Sequence, residues 1–381
     1  MAGNQRNETG GDGRPNKKIM FTGGGTGGSV TPLLAVSQEL WKDKEDLELV
    51  FVGSQNGPER EMVANFSSTD KNLRFISLVA GKWRRYLSWQ NFSDIFKVIA
   101  AFFKSLDLLR HEAPDLVVSA GSFISVPLVW AAAAKKIPVL IHQQDARPGL
   151  ANRLMAPGAR VITVNFEKSL LDYGPRAVCI GNPMIISDLE DPEKVKRRVQ
   201  EEYRLDRHRP LILLVGGSLG AKSLNDLLWA SRSALSDYQI INLSGVGKNP
   251  VKTGETIPDY YRILESLPHK NTKELISAAD LVISRAGLGI LTELSLFNKP
   301  AIIIPIPRSH QEDNAAVFAR AEAAVVLDQK KTTPDSLAQA IRKILDVPGE
   351  KEKLANRIGH VIKRGAAASL AGIIWEILRT K

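Results

Sequence analysis

Short apolar runs alternate with longer helical stretches along almost the whole chain, and the series starts twice. KKIMFTG (17–23), LELVFVG (47–53), LRFISLV (73–79), DLVVSAG (115–121), PVLIHQ (138–143) and RVITVN (160–165) are strand-like and run into turn residues. Between them lie helical stretches such as PLLAVSQELWKD (32–43) and VPLVWAAAAKK (126–136). RPLILLVGGSLGAKSLNDLLWAS (209–231) then repeats the strand, glycine turn and helix, and YQIINLSG (238–245), ADLVISRAG (279–287), PAIIIPIP (300–307) and AAVVLD (323–328) follow. Near-continuous apolar strands separated by helices require a parallel sheet covered on both faces. At 381 residues the chain also exceeds the roughly 250–300 residues that one core sustains.

The expected fold is therefore α/β, with two doubly wound, Rossmann-like parallel-sheet domains. Residues 1–16 read as a polar, glycine-rich disordered leader without the apolar stretch of a signal peptide. Residues 17–180 form the first domain, 181–365 the second, and 366–381 a packed C-terminal helix. The charged stretch DPEKVKRRVQEEYRLDRHRP (191–210) reads as the inter-domain region. The single cysteine, Cys179, excludes a disulfide framework and a Cys-rich zinc site and suits a reduced, cytosolic chain. No run of 18 apolar residues predicts a transmembrane helix.

After the first strand, Gly23, Gly25 and Gly28 satisfy G-x-G-x-x-G. A dinucleotide site also needs an acid at the end of the second strand, where Gly53 and Ser54 stand, and a P-loop needs a Lys-Ser/Thr that this loop lacks. The loop's physics remains. Glycines let a ligand approach the backbone, and the following helix presents free N–H groups and a positive dipole end. VGGSLGAKSLN (215–225) repeats the arrangement with Ser218 as an added hydroxyl. A single loop of this kind can be only a turn; two at carboxyl ends of facing sheets suggest a cleft for phosphorylated ligands.

GGTGGSVTPLLA (24–35), GSFISVP (121–127), HQQDARPGLANR (142–153), GNP (181–183), GGSLGAKSLN (216–225), SRAGLGILTE (284–293) and HQEDNA (310–315) occur in an order and spacing that resembles the MurG family, over residues 17–365. The resemblance implies a GT-B fold with the two domains facing across a cleft. It further implies a bacterial transferase moving N-acetylglucosamine from UDP-N-acetylglucosamine to the muramyl 4-hydroxyl of undecaprenyl-linked lipid I. The product is lipid II, made for peptidoglycan at the cytoplasmic face of the cell membrane by a peripheral protein.

On the donor side it implies that Glu293 accepts the ribose hydroxyls, because a carboxylate takes two hydrogen bonds from a vicinal diol. The backbone of Gly287, Leu288, Gly289, Ile290, Leu291 and Thr292 meets the diphosphate, Ser218 contacts the nucleotide, and Gln311 and Asn314 reach the sugar. Thr26, Gly27 and Gly28 lie near the acceptor diphosphate and the donor sugar. Ser29, Gln144 and Asn152 join Thr26 on the acceptor side. No D-x-D pair or His-rich cluster suggests a metal, so no cofactor is expected and helix N-termini must stabilise the leaving UDP.

The chain departs from the family pattern at three places. Ser29 replaces the family histidine, His142-Gln143-Gln144-Asp145 replaces HEQN, and Met184 and Ile185 follow GNP where an arginine is usual. An active enzyme still needs a general base; Asp145 is the candidate, with Arg147 as a substitute cation. Three readings stay open: a divergent lipid I transferase, a UDP-sugar transferase of the same fold with another lipid or glycan acceptor, and a catalytically silent lipid- or nucleotide-binding protein.

The net charge of +10 calls for an anionic partner. In GKWRRYLSWQNFSDIFKVIAAFFKSL (81–106), Phe92, Ile95, Phe96, Ile99 and Phe103 recur at helical spacing, with Ile95 and Ile99 read as facing the core. Trp83, Tyr86 and Trp89 beside Lys82, Arg84 and Arg85 read as an anchor to an anionic membrane surface. The chain has none of the common nucleic-acid modules, so nucleic acid is not expected as a partner.

Overall fold

A computed structural model describes residues 17–43, 47–67, 73–78, 90–185, 190–217 and 220–380. The chain runs β1 (Lys17–Thr22), α1 (Thr31–Asp43), β2 (Leu47–Gly53), α2 (Glu59–Ser67), β3 (Leu73–Ser77), α3 (Gln90–Glu112), β4 (Leu116–Ser119), α4 (Ser125–Ala134), β5 (Val139–Gln143), α5 (Leu150–Met155), β6 (Val161–Val164), α6 (Leu170–Tyr173) and β7 (Ala177–Cys179). It continues α7 (Pro192–Glu202), β8 (Leu211–Val215), α8 (Lys222–Ala230), β9 (Gln239–Leu243), β10 (Tyr261–Leu264), α9 (His269–Ala278), β11 (Leu281–Ser284), α10 (Leu288–Leu296), β12 (Ala301–Ile303), α11 (His310–Arg320), β13 (Val325–Val326), α12 (Pro334–Asp346), α13 (Glu350–Ile358) and α14 (Ala366–Arg379).

The strands form two sheets, ordered β3-β2-β1-β4-β5-β6-β7 and β10-β9-β8-β11-β12-β13. Order reverses between β1 and β4 in the first sheet and between β8 and β11 in the second. Both pairs are parallel. In an open parallel sheet, ligands bind outside the carboxyl ends of the strands at such a reversal. The two glycine loops follow β1 and β8, so each lies at the switch point of its own sheet.

The packing of β8 explains its unbroken apolar run. Leu211, Leu213 and Val215 join one buried cluster with residues of α7, α9, α10 and α11, while Ile212 and Leu214 join another with residues of α8 and α12. Alternate residues point to opposite faces, and here both faces are covered. α10 is itself apolar on nearly every side, with Leu288, Ile290, Leu291 and Leu294 all buried.

The compact units differ from the expected boundaries. One comprises the chain up to His142, Leu150–Ile162 and the C-terminal helix from Ala367; the other comprises Gln143–Gly149 and Thr163–Ala366. The charged stretch 191–210, expected between the domains, lies within the second unit. It forms α7, which Asp191 caps by accepting from the Glu193 amide at 3.0 Å, and it buries Val195 and Val199 in the second unit's core. Its high charge belongs to the solvated face of an amphipathic helix. Ile99 also departs from expectation: it is 49% exposed on α3, with Phe103 63% exposed one turn on. No helix of the described residues is long and apolar enough to cross a membrane.

Gly181 shows how backbone geometry constrains the second unit. Its φ is +86°, and a Cβ there would lie 2.1 Å from the carbonyl oxygen of Lys363. An L-residue therefore meets both a strained dihedral and a backbone clash. Gly181→Ala is expected to cost about 3 kcal/mol in a urea unfolding titration; unchanged stability would show that Lys363 can move aside freely.

Candidate functional site

In the second unit, β11 hands over to α10 through Arg285, Ala286 and Gly287. Gly287 is the N-cap, and its carbonyl accepts from the Leu291 amide at 3.1 Å. That bond removes Leu291 from the expected diphosphate contacts, and Thr292 lies deeper in the helix. The amides of Leu288, Gly289 and Ile290 are the ones a helix start leaves without intrahelical acceptors. A Cβ built on Gly287 or Gly289 would meet nothing within 4 Å, so this turn is open, bare backbone at a positive dipole end.

Glu293 lies one turn further along α10, its side chain only 8% exposed, with Oε1 3.0 Å from Nε2 of His269 at the start of α9. The hydroxyl of Thr292 donates to Leu288 O at 2.8 Å and accepts from Asn182 Nδ2 at 2.9 Å. Asn182 of the GNP segment thus ties the incoming chain to α10. Gln311, half-buried near the start of α11, accepts from the Ile306 amide at 3.2 Å.

Asn314, expected on the sugar side, is held by protein groups. It is fully buried; Nδ2 donates to Asp145 Oδ1 at 2.9 Å and to Ala286 O at 3.2 Å, and Oδ1 accepts from the Ala146 amide at 2.8 Å. Its amide is satisfied by protein, and it fixes the 145–146 segment. Buried Gln143 supports the same segment. Its Nε2 donates to the carbonyls of Asp145 at 2.8 Å and Arg147 at 3.3 Å, and its Oε1 accepts from the Tyr173 hydroxyl at 3.1 Å. An ionised glutamate has no N–H to offer those carbonyls, so the amide suits this position. Gln144 is half-buried. Arg147 is exposed, with Nη1 3.9 Å from Asp313 Oδ2.

The first glycine loop, in the other unit, is closed on itself. Ser29 Oγ accepts from the Gly24 amide at 3.0 Å and lies 3.1 and 3.2 Å from the carbonyls of Gly24 and Thr26. Serine here is a staple. Thr26 and Gly28 are exposed at the tip, with Gly27 half-buried between them. Asn152 is buried in the same unit, where a Cβ on Gly121 (φ +95°) would come within 3.2 Å of its Oδ1.

The acid missing from the end of β2 arrives six residues later. Glu59, the first residue of α2, is fully buried; its Oε2 accepts from the Gly25 amide at 3.1 Å, and its Oε1 accepts from the Ser54 amide at 2.7 Å and from the Ser54 hydroxyl. Burial alone would raise its pKa, but donors from the Ser54 hydroxyl and the Glu59, Ser54 and Gly25 amides outweigh it and hold the carboxyl below its ordinary value. A Cβ on Gly24 or Gly57 would overlap this carboxylate. The loop therefore already carries an internal anion.

Sequence reasoning missed Glu59, His269 and Arg285. Glu59 was findable as an acid at the start of the helix after β2, whereas nothing local marks His269. Ser218 and the anchor residues Trp83, Arg84, Arg85, Tyr86 and Trp89 lie outside the described residues. Among the described residues, no three His, Cys, Asp or Glu side chains gather where they could hold a metal.

Residues 19–164 match the glycosyltransferase family 28 N-terminal domain, and residues 211–367 match the glycosyltransferase family 28 C-terminal domain. A UDP-N-acetylglucosamine–N-acetylmuramyl-(pentapeptide) pyrophosphoryl-undecaprenol N-acetylglucosamine transferase of Clostridium kluyveri is 36% identical over 86% of this chain and 91% of its own. The protein of that name from Geobacillus kaustophilus is 34% identical over 90% of this chain and 94% of its own. Among solved structures, Acinetobacter baumannii MurG superposes with a TM-score of 0.74 at 24% identity, covering 94% of this chain and 99% of its own. The glycosyltransferase SnogD of Streptomyces nogalater gives 0.64 at 17%, covering 95% and 99%. Both are similar in fold. The chain belongs to glycosyltransferase family 28 and, within it, to the MurG family.

Proposed function

We propose that the protein transfers N-acetylglucosamine from UDP-N-acetylglucosamine to the muramyl 4-hydroxyl of lipid I, with inversion, giving lipid II. The observation that carries the donor side is the pairing of bare amides and a carboxylate on one helix. Ile290 and Glu293 are one turn apart, about 5 Å along the axis, which suits a diphosphate and the ribose diol of one nucleotide. The diol would displace His269 from Glu293. The acceptor rests on the curated relatives, which are named for transfer to muramyl pentapeptide pyrophosphoryl-undecaprenol.

In this reading Asp145 is the general base. Asn314 holds Oδ1, which leaves Oδ2 to take the proton of the attacking hydroxyl. The hydroxyl oxygen bonds to the anomeric carbon as the bond to the β-phosphate oxygen breaks. The electron pair leaves with UDP, where the amides of Leu288, Gly289 and Ile290 receive the charge. Thr26, Ser29, Gln144 and Asn152 remain assigned to the acceptor.

The second reading, a silent binding protein, is favoured by Ser29, whose hydroxyl is occupied by its own loop. One assay separates the two: incubation with UDP-N-acetylglucosamine and a short-chain lipid I analogue, following UDP release. Transfer is expected in the wild type, and Asp145→Asn should lower kcat about a hundredfold or more. Full turnover in Asp145→Asn would remove the base assignment, and no transfer by the wild type would favour the silent reading.

In this reading the protein works from a peripheral position on the cytoplasmic face of the cell membrane. Ile99 and Phe103 on α3, Trp130 on α4, and Leu150 and Leu154 on α5 are exposed apolar side chains, and α4 packs against both other helices. Lys97, Lys104 and Arg153 are exposed on α3 and α5. Apolar side chains interspersed with cations suit the headgroup boundary of an anionic bilayer. Phe103→Ser is expected to weaken binding to phosphatidylglycerol-containing vesicles about tenfold while transfer to the short-chain analogue persists. Unaltered vesicle binding in an Ile99→Ser, Phe103→Ser double variant would place the lipid contact elsewhere.

A further inference from the structure

Arg285 is 7% exposed, and every hydrogen-bond partner the structure gives it is neutral. Nη1 donates to Ile304 O at 2.9 Å and to Pro305 O at 3.3 Å, and Nη2 donates to Ser223 Oγ at 2.8 Å. Burial pushes its pKa down, with no carboxylate of the described residues opposing that shift. Other arginines of this chain behave differently. Arg74 lies between Glu48 and Glu112, and Arg198 between Glu190 and Glu274. A buried cation without a counter-ion is costly, because desolvation is not repaid by any internal charge.

Its position compounds the imbalance. Arg285 directly follows β11, and Ser223 is the second residue of α8, which follows β8. β8 and β11 are the neighbouring strands at the second sheet's reversal, with Ser284 paired to Val215. The guanidinium therefore bridges the switch-point crevice beside the start of α8, two residues before the N-cap of α10. The cation thus touches the positive end of α8, and its own backbone leads into the positive end of α10. A fold tolerates such a concentration of positive charge where an anion arrives from outside.

We propose that Arg285 is the charge partner of the donor's diphosphate, an inference that rests on the UDP-sugar reading given above. It is a positioning residue. Its fork holds Ser223 and the Ile304–Pro305 carbonyls in place, and its charge lies behind the amides that meet the phosphates. When the anomeric bond breaks, UDP gains a further negative charge, and the preorganised cation stabilises it without rearrangement. Arg285 thereby supplies what Ile185 cannot.

The test compares UDP with uridine by titration calorimetry on the full chain, for the wild type, Arg285→Gln and Arg285→Lys. The glutamine variant should bind UDP about tenfold or more weakly, as expected on losing a charged hydrogen-bonding partner, with uridine affinity unchanged. The lysine variant, which keeps the charge, should retain most of the preference for UDP. If the glutamine variant weakens UDP and uridine by the same factor, or leaves their ratio at the wild-type value, Arg285 is only a structural cross-link and the proposal is overturned. Circular dichroism confirms that each variant is folded. A wild type that does not bind UDP overturns this inference and the UDP-sugar reading together. A wild type that binds UDP with the expected ratios but does not transfer to the lipid I analogue upholds Arg285 and removes only the acceptor.

Discussion

Wherever a parallel strand turns into a helix, the first amides of that helix have no backbone acceptor. The donor site proposed in the second unit is built on that shortage at α10. Gly287 and Gly289 keep the turn bare, Leu291 closes the helix behind it, and Glu293 stands one turn on. The apolar sides of α10 are buried in the core, which fixes the position of the turn. An internal carboxylate could have filled the gap, as Glu59 does at the first glycine loop. At α10 none does so among the hydrogen bonds described, and the nearby buried side chain is a cation.

The first glycine loop, unlike the turn before α10, holds a carboxylate of its own. There Glu59 satisfies the Gly25 amide and Ser29 ties Gly24 to Thr26, leaving Thr26 and Gly28 exposed at the tip. The Glu59 carboxylate occupies the space that a Cβ on Gly24 would fill, so this position is restricted to glycine. The replacements at 143 and 145 have a similar logic. Gln143 has donors for two backbone carbonyls, and Asp145 accepts from the Asn314 amide.

Most of the fold was legible because its strands are buried on both faces and read as continuous apolar runs. Tyr261–Leu264 was not, since β10 is an edge strand with half-buried residues, and Ala177–Cys179 was too short to carry a pattern. α7 was read as part of an inter-domain region because only Val195 and Val199 mark its buried face. The motif SRAGLGILTE pointed to the turn before α10, but local spacing could not tell free amides from bonded ones. Nor could it show that Asn314 faces Asp145, 169 residues away. Such contacts depend on chain segments brought together by the sheet. Arg285 was in plain view within that motif, yet the role proposed for it rests on burial and on the lack of an acid beside it among the described residues, and neither is a property of sequence.

The central claim is that the bare first turn of α10 holds a diphosphate whose ribose rests on Glu293. A crystal structure of the protein with UDP tests it most directly. The account predicts phosphate oxygens within hydrogen-bond distance of the Leu288, Gly289 or Ile290 amides, and the ribose hydroxyls on Glu293 in place of His269. A nucleotide bound with His269 still on Glu293 and its phosphates away from α10 would contradict it.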